Sequence, residues 1–217
     1  MLLQSAFFAF TLASSVFAQD FSLATVKKAF EKDLVTGNLS MPFHPRVLLE
    51  VTFPQTTGWS VTVQAGIHLS RNETAGPPVF RVIGPAGRGP FVVATVDLDA
   101  PTPQTRNLSQ IRHFLGGNFF IKHSRDHFQK DHLLLTNTTP ALSEFQRPTP
   151  PANSDPHRYV FLLFKQSKAF KTQTLVTPET SIISFNISTF ADAVGLGRPL
   201  GGTFMFVAPD PTDPIIE

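Results

Sequence analysis

The sequence predicts a mainly β fold. Three apolar runs, at residues 91–96, 113–121 and 159–164, have the β-branched and aromatic content of interior strands. Clusters of Pro, Gly and Asn punctuate the chain between such runs. Helical spacing of apolar residues is confined to two short stretches. The 217 residues, 41% hydrophobic, suffice for a sizeable core and lie far from the composition of disorder.

Taken in order, residues 1–18 carry no charge and end at Ala18 with small or short side chains where a signal peptidase reads. They predict a signal peptide, entry to the secretory route with a secreted or vacuolar destination, and one folded domain over residues 19–217. The apolar run falls short of the roughly 20 residues of a comfortable membrane span, so no transmembrane segment is predicted. Next, Leu23, Val26, Phe30 and Leu34 share a face at helical spacing, with Ser22 as N-cap, Gly37 beyond the end and Lys27-Lys28 on the solvated side. Residues 47–53 and 61–67 read as strands joined by a turn at 54–58, and 79–83 as a third. Residues 84–90 form a turn-rich loop, not a phosphate cradle. After the three interior runs and a long Pro-, Thr- and Asn-rich loop at 137–156, residues 184–196 predict a strand feeding a short helix that stops at Gly195 or Gly197. Residues 203–207 are the last predicted strand.

Five Asn-x-Ser/Thr sequons, at Asn38, Asn72, Asn107, Asn137 and Asn186, agree with a secretory route and mark surface. Cysteine is absent, which excludes a disulfide scaffold, thiol catalysis and a Cys-ligated zinc site. The net charge of +2 is no footprint for nucleic acid.

Asp97 and Asp99 end an interior strand two residues apart, so in extended chain both carboxylates point to one face before Pro101 ends the pairing. They are either a capping turn or a crowded carboxylate pair suited to acid–base or metal chemistry. His113 and His157 open two apolar runs, and the four residues together point to a shared site. His123, His127 and His132 form a looser set, the first two at a spacing that zinc sites use, within an exposed, polar segment. No nucleophile elbow, phosphate loop or His-Glu-x-x-His motif occurs, and no activated nucleophile is recognisable, which speaks against a hydrolase.

Three blocks resemble the phosphatidylethanolamine-binding protein family, also called the Raf kinase inhibitor protein family, and most closely its secreted, fungal carboxypeptidase-inhibitor-like branch. Asp97-Leu98-Asp99-Ala100-Pro101 is similar to the family's Asp-Pro-Asp-Ala-Pro signature. His113-Phe114-Leu115 with Asn118 resembles its His-Phe-Leu-x-x-Asn strand, and Pro150-Pro151 with His157-Arg158-Tyr159-Val160 its Pro-Pro and His-Arg-Tyr-Val block. The resemblance implies a central antiparallel sheet with a smaller second sheet and a few peripheral helices. It also implies a shallow pocket for phosphate, phosphorylethanolamine or a phospholipid headgroup, without cofactor, metal or catalytic residue. Asp97, His113 and Tyr159 would line it, Asp99 and His157 support it, and backbone around Thr149 and Pro151 complete it. By the same resemblance, His113 would donate to the anion, Ala100–Pro101 could adopt either isomer, and a serine carboxypeptidase or other protease is the alternative partner. Leu98, Ile111 and Thr149 depart from the family pattern, and the family's C-terminal helix is expected to be missing after the last predicted strand.

Overall fold

The computed structural model describes residues 19–122 and 132–211. The predicted signal peptide, His123, His127 and the end of the chain lie outside them, and His132 opens a strand. Nine strands and four short helices are formed among the described residues: α1 (Leu23–Lys32), α2 (Val35–Leu39), β1 (Leu48–Phe53), β2 (Val61–Thr62), β3 (Ile67–Leu69), β4 (Val79–Ile83), β5 (Phe91–Asp97), β6 (Ile111–Lys122), β7 (His132–Asn137), β8 (His157–Lys165), α3 (Lys168–Thr172), α4 (Ile187–Ala193) and β9 (Gly201–Val207). None of these helices is long and apolar enough to cross a membrane.

The strands form one ladder in the order β2-β1-β4-β7-β6-β5-β8-β9-β3, antiparallel except for β3 beside β9. Alternation along β5 and β8 sorts its two faces. Val92, Ala94, Val96, Val160, Leu162 and Phe164 cluster with Val26, Phe30, Ile187 and Phe190 of the helices. Phe91, Val93, Tyr159, Phe161 and Leu163 cluster instead with Leu49, Val51, Phe80 and Val82 of β1 and β4. Both faces of β5 and β8 are therefore buried, which is why their sequences run apolar without a break. The smaller second sheet is the β2-β1-β4 arm. It curls back over the central strands, joined to them through β7 and tied where the Arg46 and Val47 N–H groups donate to the Leu200 carbonyl at 2.7 and 3.2 Å.

Several boundaries differ from the sequence reading. The predicted strand at 61–67 is two strands, because Gly66 takes a φ of 88° and its N–H turns to the Phe204 carbonyl at 2.9 Å. The chain thereby leaves its antiparallel partner β1 for its parallel partner β9. Helix α1 starts at the predicted cap, where Ser22 accepts the Thr25 N–H, but buries only Val26 and Phe30 of the expected face. Leu23 and Leu34 are exposed, Leu34 because it sits at a φ of 54° between α1 and α2. Residues 184–186 form no strand; the Ser184 and Phe185 N–H groups are taken by the carbonyls of Leu108 and Gln110, and α4 follows with Asn186 as its cap.

The register brings five strand termini to one end of the sheet. Asp97 pairs with both Ile111 and Tyr159, Tyr159 with Met205, and Val207 with both His157 and Leu69. The ends of β5, β9 and β3 and the starts of β6 and β8 thus face one space.

Candidate functional site

The two aspartates do not form a crowded pair. Strand β5 stops at Asp97, and the chain bends so that the carboxylates meet successive residues of β8, which point to opposite faces. Asp97 Oδ2 lies 2.8 Å from His157 Nδ1, and Asp97 Oδ1 accepts the Asp99 N–H at 2.8 Å, so the capping turn is also present. Asp99 turns to Arg158. Its Oδ2 accepts the Arg158 N–H at 2.8 Å and Nε at 2.7 Å, and its Oδ1 accepts Nη2 at 2.5 Å. Arg158 Nη1 donates in turn to the Asp33 carbonyl at 2.7 Å, tying the end of α1 to the strand. Each carboxylate has its own cationic or imidazole partner, which leaves neither the carboxylate pair nor the metal site of the sequence reading. The Ala100–Pro101 bond is cis.

His113 reaches the site through an irregularity of β6. Thr95 pairs with Phe114, but the next β5 residue, Val96, pairs with Arg112, so β6 carries one extra residue there. Such a bulge puts two successive side chains on one face. Phe114 enters the core shared with β1 and β4, and the His113 ring stands edge-on to Tyr159 at 5.0 Å. Arg112 and Leu115 face the helices, Arg112 over Phe185 at 5.0 Å. Without the bulge, alternation would send His113 the other way.

His113 is 5% exposed, and its Nδ1 lies 2.8 Å from the Gln146 carbonyl, to which it must donate. Burial pushes its pKa below the ordinary 6.5, against the Gln146 carbonyl and Asp97, which favour the charged ring, and together with His157, which opposes it. The neutral ring therefore presents Nε2 as an acceptor, so the expected donation from His113 to an anion requires a proton brought by the ligand or taken from solvent. Tyr159 is 1% exposed, and burial first, then the charge and hydrogen bond of Asp97, hold its pKa well above the usual phenol range. Its hydroxyl donates to Asp97 and accepts the Thr149 N–H.

Thr149 is exposed, with its N–H engaged by Tyr159, and Pro151 is exposed, with its carbonyl accepting the Ser154 N–H at 3.1 Å. Sequence reasoning missed Gln146 and Ser154, both on the long loop, where no periodicity marks position. Ser154 Oγ lies 2.9 Å from His157 Nε2 and continues a Ser–His–Asp line. Its hydroxyl has one hydrogen for two acceptors, the Asp155 carbonyl at 2.9 Å and, in the tautomer that donates Nδ1–H to Asp97, His157 Nε2.

The buried neutral imidazole makes stability depend on pH. The unfolded chain's His113 binds a proton near 6.5 and the folded chain's only at lower pH, so this contribution is fully present above 6.5 and is lost as pH falls towards the folded value. Asp20, whose carboxyl burial raises above 3.8, acts in the opposite sense from that pH upward. Urea midpoints measured from pH 7.5 to 5 are expected to fall less steeply for His113→Phe than for the wild type.

Of the sequon residues, Asn72, Asn107, Asn137 and Asn186 are exposed, whereas Asn38 is half-buried, its amide donating to the Leu34 carbonyl at 2.7 Å and its oxygen held by Arg106.

Comparison with known proteins bears on the fold and the family. Among curated relatives, Protein BROTHER of FT and TFL 1 of Arabidopsis thaliana is 27% identical over 175 residues, covering 78% of this chain and 85% of that protein. CEN-like protein 4 of Nicotiana tabacum is 29% identical over 171 residues, covering 78% and 86%. Among solved structures, carboxypeptidase Y inhibitor complexed with the cognate proteinase superposes with a TM-score of 0.72 at 20% identity, covering 89% of this chain and 98% of that one. A phosphatidylethanolamine-binding protein from Plasmodium vivax gives 0.65 at 13% identity, covering 85% and 98%. The family model described as phosphatidylethanolamine-binding protein matches residues 50–205, most of the chain and every strand-end residue from Asp97 to Tyr159, and the chain belongs to that family.

Proposed function

We propose that this protein is a non-enzymatic binding protein whose strand-end site holds a small phosphate-bearing anion, free or as a phospholipid headgroup. The observation that carries the reading is the bulge that turns His113 onto the face of Asp97 and Tyr159, placing buried polar groups at one space among strand termini. A hydrogen phosphate or phosphate ester carrying a proton suits His113, since its P–OH can donate to Nε2 while other oxygens accept from the protein. In amide NMR spectra, titration with phosphorylethanolamine is expected to shift resonances around His113 and Tyr159, and His113→Ala to abolish those shifts. Unchanged shifts in the variant contradict the assignment, and covalent labelling of Ser154 by a fluorophosphonate contradicts the non-enzymatic reading.

The likeness to carboxypeptidase Y inhibitor supports a second reading, inhibition of a serine carboxypeptidase or other protease. It requires stoichiometric loss of peptidase activity on adding this protein, which His113→Ala leaves intact if the inhibitory surface is separate from the pocket. We place the protein in the secretory route on the strength of residues 1–18 and the exposed sequons; a gel-mobility shift on removal of N-glycans from the secreted chain tests that.

A further inference from the structure

The site as described lacks a cation for its anion. Burial keeps His113 neutral. Any charge on His157 is offset by Asp97 at 2.8 Å, and Arg158 is committed to Asp99. Arg106, 3.8 Å from the same Asp99, is turned to Asn38 and the Pro103 carbonyl. A neutral imidazole, together with charges already engaged by their own carboxylates or turned elsewhere, does not select an anion over water.

Arg71 can supply the missing charge. It follows β3 by two residues, and Leu69 at the end of β3 is in register with Val207, which is in register with His157, so Arg71 leaves the sheet at the end that carries the site. Its guanidinium is near enough to Tyr159 to favour the phenolate, where Asp97 opposes it. Its Nε is buried without a hydrogen-bond partner, a donor left open where, among the described residues, the other buried side-chain polar atoms are paired apart from the Thr95 hydroxyl. The turn that holds it is rigid. Glu73 Oε2 accepts the Ser70 N–H at 2.7 Å and hydroxyl at 2.8 Å, and the buried Thr74 hydroxyl donates to the Ser70 and Arg71 carbonyls at 3.1 and 3.3 Å. Arg71 Nη1 meets Asp210 Oδ2 at 2.8 Å, and Asp210, on the segment after β9, is more than half exposed.

We propose that Arg71 is the specificity-determining cation of the pocket, contacting the phosphate group of the ligand, and that Asp210 competes with that phosphate for the same guanidinium. The inference rests on the anion-binding reading and adds to it the residue that makes the pocket select for charge. A phosphate oxygen accepts from Nε and Nη in the side-on geometry that arginine offers to oxyanions. The carboxylate of Asp210 is the internal occupant of part of that fork, so ligand affinity is set by the difference between the two.

The test is a set of titrations of the full mature chain, followed by amide NMR, with inorganic phosphate, phosphorylethanolamine and short-chain phosphatidylethanolamine as separate probes. Arg71→Gln is expected to weaken whichever probe binds wild type best by about tenfold or more, as loss of a charge-assisted bond implies. Arg71→Lys should retain part of the affinity. Asp210→Asn should tighten binding several-fold in the wild-type background and leave it unchanged beside Arg71→Gln, the signature of a shared partner. The probe that binds tightest identifies the source, lipid headgroup or free phosphate, and supports the proposal when the Arg71→Gln loss appears in that arm. Affinity of Arg71→Gln within twofold of wild type in every arm overturns it, as does a loss confined to the ethanolamine-bearing probes. If Arg71→Gln fails to fold by its spectrum, Asp210→Asn decides, and unchanged affinity there overturns the proposal. Silence of the wild type itself towards all three probes is a different result and removes the anion-binding reading beneath it.

Discussion

Asp99→Ala is expected to lower the free energy of unfolding by about 3–5 kcal/mol, the range for breaking a buried ion pair by removing one partner. Asp99 is 1% exposed and Arg158 8%, so the guanidinium left behind cannot recover its hydration without opening the structure. Asp99 also satisfies the backbone N–H of Arg158, and through Arg158 it holds the Asp33 carbonyl at the end of α1. The variant therefore loses a strand donor's partner and a helix tether together. Urea denaturation at pH 7 measures the effect. A loss below about 1 kcal/mol, the value of an exposed pair, would show that water reaches this arginine and that the contact does not organise the strand end.

Gly201→Ala is expected to cost about 3 kcal/mol, the upper end of the usual range for overpacking. A Cβ at Gly201 would stand 2.4 Å from the Val47 carbonyl oxygen, a backbone atom that cannot swing aside. The neighbouring N–H groups of Arg46 and Val47 are both bonded to the Leu200 carbonyl, so relief requires lifting the β1 arm from β9. The variant should lose protection from amide exchange in β1 before it does so in β5 or β8. Gly37→Ala is the control: a Cβ there meets nothing within 4 Å, and α2 should be unchanged or slightly stabilised. Equal effects of the two substitutions would mean that the arm is not seated as described.

Strands β5 and β8 were legible because burial on both faces leaves the same mark in the sequence as in the structure. The capping turn at Asp97 was legible as one of two alternatives, and the second, a crowded pair, failed because extended geometry was assumed beyond the last paired residue. Strand β7 was missed: its residues pair with β4 and β6, but it precedes a polar loop and follows a polar segment, so no run announces it. The change of partner at Gly66 was hidden for a different reason. A glycine inside an alternating pattern signals a bulge or turn, yet which strand receives the chain afterwards depends on tertiary contacts. Arg71 is the sharpest case, since its nearness to Tyr159 depends on the parallel pairing of β3 with β9, which joins segments more than a hundred positions apart. Gln146 and Ser154 belong to a long loop whose course is set by what it covers.

The extra residue in β6 separates the inheritance of the fold from that of the site. Deleting Arg112 would mend the ladder with β5 and leave Phe114 in its core, while carrying the imidazole to the helix side in place of the guanidinium. A descendant of this chain could thus keep its architecture and dismantle the strand-end cluster through the loss of a single codon, with no substitution at Asp97, His113 or Tyr159.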